Sequence, residues 1–186
     1  HDMFGEVPPG ATCIASIGHT TREILYPTLS HSSNVMAEVL FTRVCEESGG
    51  EVGIYDFLEN ELGMKPNLDI EDGSGLSPYN LTTTQFLCDV LRHLWDEEGW
   101  IMEALPLAGS PTQRGTLMNR MSNNACKGRI YAKTGTLTST GTSSLAGYCK
   151  GLFDHWYAFA IINHNTPVAE GRLFQDAVCL EMVRSK

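Results

Sequence analysis

The stretch from Arg129 to Asn163, RIYAKTGTLTSTGTSSLAGYCKGLFDHWYAFAIIN, decides the fold. Three segments inside it read as β-strands: Arg129 to Thr134, Ser143 to Lys150, and Trp156 to Asn163. The last carries the unbroken apolar run Ala158-Phe159-Ala160-Ile161-Ile162. The links between them are short, which favours antiparallel pairing, because a parallel pair needs a long crossover. A helix is expected next, Val168 to Arg184, presenting Ala169, Leu173, Ala177, Leu180 and Met182.

Upstream of this meander the period changes from strand to helix. Val35, Met36, Val39, Leu40 and Val44 recur at helical spacing, with Ser32 or Ser33 as N-cap and Gly49-Gly50 as the stop. A second amphipathic helix is expected from Gly53 to Leu62, stopped by Gly63 and Pro66. A turn-rich loop follows, Leu68 to Asn80, containing Asp72-Gly73-Ser74-Gly75. Thr82-Thr83-Thr84-Gln85 then has the capping-box form and opens a helix with Phe86, Leu87, Val90, Leu91 and Leu94 on one face. Trp95 extends that face. A short helix is expected from Thr116 to Met121, and a short strand or extended arm over Phe4 to Gly18. Helices, then a meander, then a closing helix make an α+β chain with helices packed on an antiparallel sheet.

Composition bounds the function. The chain has 186 residues, 42% hydrophobic and 19% charged, enough for one domain with a core. Lys and Arg number 13 against 22 Asp and Glu, a net charge of −9. That excess of anions argues against nucleic acid and against an anionic membrane surface as main partners. No apolar run approaches the ~18 residues of a membrane-spanning helix. The opening, His1 to Gly10, is polar and Pro-rich with Met3 behind His1-Asp2, so the chain reads as a piece of a longer precursor. Six cysteines are scattered without a C-x-x-C pair. They read mostly as buried small side chains, and neither a metal site nor a cofactor is expected. The six histidines lack H-x-x-x-H spacing and read as surface or satisfied interior groups, with His31 adjoining Ser32.

Two short motifs carry chemistry. Ser32-Ser33-Asn34 is an S-x-N at a helix entrance, and Lys133-Thr134-Gly135-Thr136 is a K-T-G-T closing the first strand. Neither is specific alone. In this order they match two of the three motifs of penicillin-binding proteins and class A β-lactamases, S-x-x-K, S-D-N and K-T-G. The flanks Asp72-Gly73-Ser74-Gly75-Leu76-Ser77, Leu105-Pro106-Leu107-Ala108-Gly109, Gly115-Thr116-Leu117, Leu137-Thr138 and Ser144-Leu145-Ala146-Gly147-Tyr148 sharpen the match. From about Leu25 to its C-terminus the chain resembles the class C low-molecular-mass penicillin-binding proteins. These are the D-Ala-D-Ala carboxypeptidases and endopeptidases that trim peptidoglycan.

The resemblance implies an incomplete penicillin-binding/serine β-lactamase-like fold. Residues 1–186 would be the C-terminal segment of a transpeptidase-like catalytic domain, supplying about three strands of its sheet. The missing strands would leave an exposed edge, open to an N-terminal part of the same protein or to a second copy of the chain. The implied activity is serine-type hydrolysis through an acyl-enzyme, in the periplasm or cell envelope. Peptidoglycan stem peptides would be the substrate and β-lactams the inhibitors. Ser32, Asn34 and Lys133 would be catalytic, the hydroxyl and ammonium relaying a proton to the leaving amine and the amide meeting the substrate's carbonyl. Thr134, Gly135 and Thr136 would bind substrate, with Lys133, Thr134 and Thr136 holding its carboxylate and the Thr136 amide serving the oxyanion. Gly135 would leave the strand edge unobstructed.

One part is missing. No serine in the chain has lysine three residues on, so the S-x-x-K that would supply the nucleophile is absent. The expectation is that this polypeptide alone is inactive. Two rivals remain open: a β-lactamase or esterase of the same fold, and a peptidoglycan-binding module without catalysis. The Asp72 to Ser77 loop has no assigned chemical role and reads as turn structure.

Overall fold

A computed structural model describes residues 9–97, 99–111, 115–122 and 124–185. Phe4 to Pro8 of the anticipated arm lie outside the described residues. Residues 9–20 form no strand, and Ile14 and Ile17 are 97% and 90% exposed, so this segment is an arm.

Helix α1, Thr21–His31, has no counterpart in the sequence reading. It opens with a reciprocal capping box: Glu23 N donates to Thr20 Oγ1 (3.3 Å) and Thr20 N donates to Glu23 Oε2 (2.7 Å). It ends at Ser32, whose backbone is left-handed (φ 57°, ψ 51°). Helix α2, Asn34–Ser48, begins at once, capped by Ser33, whose Oγ accepts from Met36 N (3.4 Å). Of the two candidate caps Ser33 takes that role, because Ser32 already closes α1. The apolar stripe of α2 is helical as expected but unpartnered: none of its residues is buried, and Val35 and Val39 are largely exposed.

Helix α3, Glu51–Asp56, runs into a π-helical turn, Phe57–Glu61, so the helix expected from Gly53 starts earlier and changes winding halfway. Gly63, at φ +61°, ends it. Strands β1 (Leu68–Asp69) and β2 (Leu81–Thr82) pair antiparallel and close the turn-rich loop at its base. Helix α4, Thr84–Glu97, is capped by Thr83 rather than Thr82, with Phe86 N donating to Thr83 Oγ1 (3.1 Å). With Thr83 as cap the third helical position is Phe86, so Gln85 stands one residue short of completing a box and its amide donates along the helix to Asp89 instead (3.0 Å). Helix α5, Trp100–Ala104, is short. The helix expected from Thr116 is instead a series of turns, Met118 N to Gly115 O and Arg120 N to Leu117 O, ending at Met121 with φ 54°.

The meander is β3 (Ile130–Leu137), β4 (Thr142–Lys150) and β5 (Trp156–Asn163), in the order β3-β4-β5 and antiparallel throughout. Strand β3 runs through the whole K-T-G-T to Leu137 instead of ending at Thr134 within it. Its register sets Lys133 opposite Ala146 and Gly135 opposite Ser144. Period-2 alternation then sorts the faces. Ile130, Ala132, Leu145, Cys149 and Phe159 face α6 (Val168–Arg184) and form the core with Cys179 and Val183. Lys133, Gly135 and Tyr148 face the other way, where Tyr148 donates to Leu91 O of α4 (2.6 Å) and its ring meets Trp95.

The buried stripe of α6 differs from the expected one. It is Gly171, Gln175, Cys179 and Val183, while Leu173 is 71% exposed. A Cβ at Gly171 would come within 2.4 Å of Ser143 Oγ, so the helix lies tight on β4. Gln175 is fully buried yet satisfied: its amide donates to Ser143 Oγ (3.3 Å) and Asn163 Oδ1 (3.1 Å), and accepts from Arg120 (3.1 Å). Cys126, Cys149 and Cys179 are buried, Cys45 and Cys88 half-buried, and Cys13 exposed. Burial pushes the Cys126 and Cys149 thiols up to about 11 and the Cys179 thiol up to about 12.

Candidate active site

Ser32 and Lys133 lie 101 residues apart in sequence and meet: Lys133 Nζ donates to Ser32 Oγ at 2.7 Å. The fold sets both ends. Ser32 is held at the α1–α2 junction by its left-handed backbone, where glycine is the cheaper residue. Lys133 projects from β3 on the face opposite α6. A second Lys133 proton goes to Thr134 O (2.8 Å). Burial favours the neutral amine and lowers the Lys133 pKa below 10.5.

The pair opens onto a groove of about 1010 Å³. Its walls are the α1–α2 junction with Asn34, the loop from Ser74 to Thr82, the β3 edge, and Arg172 from α6. Asn34 is exposed on the wall, and among the described residues its side chain makes no hydrogen bond, so its amide is open to a ligand. The β3 edge changes character at this point. Ala132 N donates to Pro106 O (3.0 Å) and Ala108 N to Ile130 O (2.9 Å), which covers the strand as far as Ala132. Beyond that no described backbone pairs with it. The edge-facing amides repeat every second residue, so Thr134 N–H and Thr136 N–H point into the groove. A Cβ at Gly135 would lie 2.3 Å from Ser144 Oγ, so glycine keeps the floor beside Lys133 clear.

The site holds groups that sequence reasoning did not find. Thr134 Oγ1 donates to Thr116 Oγ1 (2.9 Å). Arg172 donates to Thr136 Oγ1 (3.1 Å). His164 Nδ1 lies 2.8 Å from Thr142 Oγ1 at the far end of the groove. These partners are 18 to 36 residues apart, with no local pattern linking them.

The loop that holds Asp72 walls the groove with β3. Burial pushes the Asp72 carboxyl up, but hydrogen bonds from Ser77 N, Asn80, Gly75 N and Leu76 N outweigh it and hold the pKa below the usual carboxylate range. Glu38 of α2 accepts from Ser74 N (2.9 Å) and Gly73 N (3.3 Å), tying the loop to the helix that carries Asn34. A Cβ at Gly73 would meet Phe41 Cβ at 2.4 Å and Ala37 O at 2.6 Å, so only glycine allows this approach. Among the described residues no three His, Cys, Asp or Glu side chains converge as a metal site, and no helix is long and apolar enough to cross a membrane.

The sequence profile of the D-Ala-D-Ala carboxypeptidase 3 (S13) family matches residues 7–182. The chain is 35% identical over 181 residues to the D-alanyl-D-alanine carboxypeptidase of Actinomadura sp. (strain R39), covering 88% of this chain and 32% of that protein. It spans about a third of the length of the curated relatives it matches. Among solved structures, penicillin binding protein 4 (dacB) from Haemophilus influenzae superposes with a TM-score of 0.76 at 25% identity, over 88% of this chain and 40% of that one. The TLA-3 extended-spectrum β-lactamase superposes with a TM-score of 0.62 at 17% identity, over 89% and 66%, a likeness of fold alone. The α+β pattern read from the order of the elements thus has the penicillin-binding/β-lactamase-like fold that the motifs' resemblance implied.

Proposed function

This chain belongs to the D-Ala-D-Ala carboxypeptidase 3 (S13) family, and from that premise we propose that it is the C-terminal segment of a serine-type peptidoglycan hydrolase. The reaction is cleavage of the terminal D-Ala-D-Ala bond, or of a stem cross-link, through an acyl-serine. The observation that carries this reading is the Lys133 to Ser32 hydrogen bond (2.7 Å) on the wall of an open groove.

Each residue has a task. A serine from an S-x-x-K segment outside these 186 residues attacks the scissile carbonyl, and its lysine takes the proton. Thr136 N–H donates to the oxyanion that forms. As the intermediate collapses, the C–N bond breaks and the leaving amine needs a proton. Ser32 supplies it and is resupplied by Lys133, whose burial-lowered pKa makes its ammonium a better acid than a free lysine. Asn34 donates to the substrate's peptide carbonyl. Thr134, Gly135 and Thr136 bind the C-terminal residue along the open β3 edge. Water then hydrolyses the acyl-enzyme.

The substrate places the protein in the periplasm or cell envelope, with β-lactams as acylating inhibitors. The exposed valines of α2 and the outer edge of β5, which has no strand partner among the described residues, suit an N-terminal part of the same protein as the covering partner. The test is labelling with fluorescent penicillin together with D-Ala release from a stem pentapeptide. The full-length protein is expected to do both and this segment alone neither. Acylation of the isolated 186 residues, or fast penicillin turnover by the full-length protein, would contradict the reading.

A further inference from the structure

The charges in the groove are not equally free. Lys133 spends one proton on Ser32 Oγ and a second on Thr134 O, and it is partly buried. Arg120 also lines the groove, but it is committed to α6: it pairs with Asp176 and donates to Gln175 Oε1 (3.1 Å) and Arg172 O (3.2 Å). Asp176 is therefore spent on Arg120. Arg172 is different. It is exposed and lines the groove, and among the described residues no carboxylate lies within ion-pairing distance of it. Among the described residues its one side-chain hydrogen bond is to Thr136 Oγ1 (3.1 Å). A hydroxyl that accepts from a guanidinium has its own proton left to give. Arg172 thus presents a cation without a counter-charge among the described residues, beside a hydroxyl with a proton to give, while the Thr136 amide stays with the oxyanion. A charged fork and a neutral hydroxyl donor within hydrogen-bond distance of each other fit the two oxygens of a carboxylate.

We propose that Arg172 is the specificity-determining residue for a free carboxylate, receiving the C-terminal carboxylate of the stem peptide together with Thr136, while Lys133 is reserved for proton relay. This rests on the function proposed above and moves the carboxylate's counter-charge from β3 to α6. The guanidinium matches a carboxylate in shape as well as charge, which the ammonium of Lys133 does not.

The experiment uses the full-length protein and two stem pentapeptides that differ only at the C-terminus, one a free acid and one an amide. Arg172→Gln keeps an N–H near Thr136 but removes the charge, and the site is exposed, so the fold should survive. It is expected to lower kcat/KM for the free acid about 10²-fold and for the amide less than about threefold, collapsing the acid-to-amide ratio. Arg172→Lys should restore part of that ratio. An equal fall for both peptides, which a merely structural brace on Thr136 would give, overturns the inference, as does no change for either. Wild-type protein that cleaves neither peptide and takes no penicillin would defeat the proposed function and this inference together. Wild-type turnover with an unaltered ratio in the variant would defeat the inference alone.

Discussion

Ser32 sits where glycine would be cheaper, and a pair of substitutions separates the cost of its backbone from the value of its hydroxyl. At φ 57° and ψ 51° a residue with a Cβ is about 1 kcal/mol worse off than glycine. Both Ser32→Ala and Ser32→Gly remove the hydroxyl that accepts from Lys133 at 2.7 Å, a charge-assisted bond of about 1.5–3 kcal/mol. Only Ser32→Gly also relieves the backbone. Both variants should therefore be less stable than the wild type or, for glycine, close to it. Ser32→Gly should exceed Ser32→Ala by about 1 kcal/mol, or roughly 2–4 °C in Tm for a protein of this size. Urea and thermal unfolding of the three proteins read this directly. Acylation of the full-length versions should fall by a similar factor in both variants, about 10²–10⁴, because both lose the same proton donor. If Ser32→Ala matches or exceeds Ser32→Gly in stability, Ser32 is not left-handed and the account of how it is aimed at Lys133 fails.

Three further outcomes follow from the same geometry. Gly73→Ala drives a Cβ to 2.4 Å from Phe41 Cβ and 2.6 Å from Ala37 O, so it should cost about 1–3 kcal/mol in urea unfolding and loosen the loop from α2; an unchanged midpoint would mean the loop does not dock there. Gln175→Leu fills the volume but strips partners from Ser143, Asn163 and Arg120, and a loss of about 2–4 kcal/mol is expected by the same assay; neutrality would disprove the satisfied core on α6. The Lys133 pKa is lowered by burial, so between that value and 10.5 the folded protein binds fewer protons than the unfolded chain, and stability rises with pH across this window. Measured against Lys133→Met from about pH 7 to 10.5, the wild type should gain; a constant difference, or a wild type that falls behind, would place Lys133 in water.

What the sequence made legible is what carries a long, regular apolar pattern, whether or not that pattern is buried. The three strands of the meander and helices α2 and α4 stand close to where their periodicity put them, because each shows enough apolar residues to declare a period. Helix α1 was hidden for two reasons. Pro27 stands inside it and reads as a breaker in the sequence, and its buried residues are Thr28 and Ser30, so hydrophobicity is a poor guide to its inner face. The Thr20 to Glu23 capping box was the available signal. The buried face of α6 was misjudged because close approach to β4 selects Gly171 and Gln175, while the larger Leu173 is turned out. The motifs led to Ser32 and Lys133 through the resemblance they carry, but not to Thr116 or Arg172. Those reach the groove only through strand register and helix placement, which no local window contains. The Asp72 loop was visible as a turn; its docking on Glu38 and Phe41 depends on contacts across some 35 residues.

A crystal structure of the full-length protein acylated by a penicillin tests the central claim most directly. The account predicts the acyl group in the groove between α2 and β3. Ser32 Oγ and Lys133 Nζ should remain within about 3.2 Å of each other, with the drug's carboxylate against Thr136. An acylated serine outside this groove, or Ser32 and Lys133 separated beyond the reach of a bridging water, would contradict it.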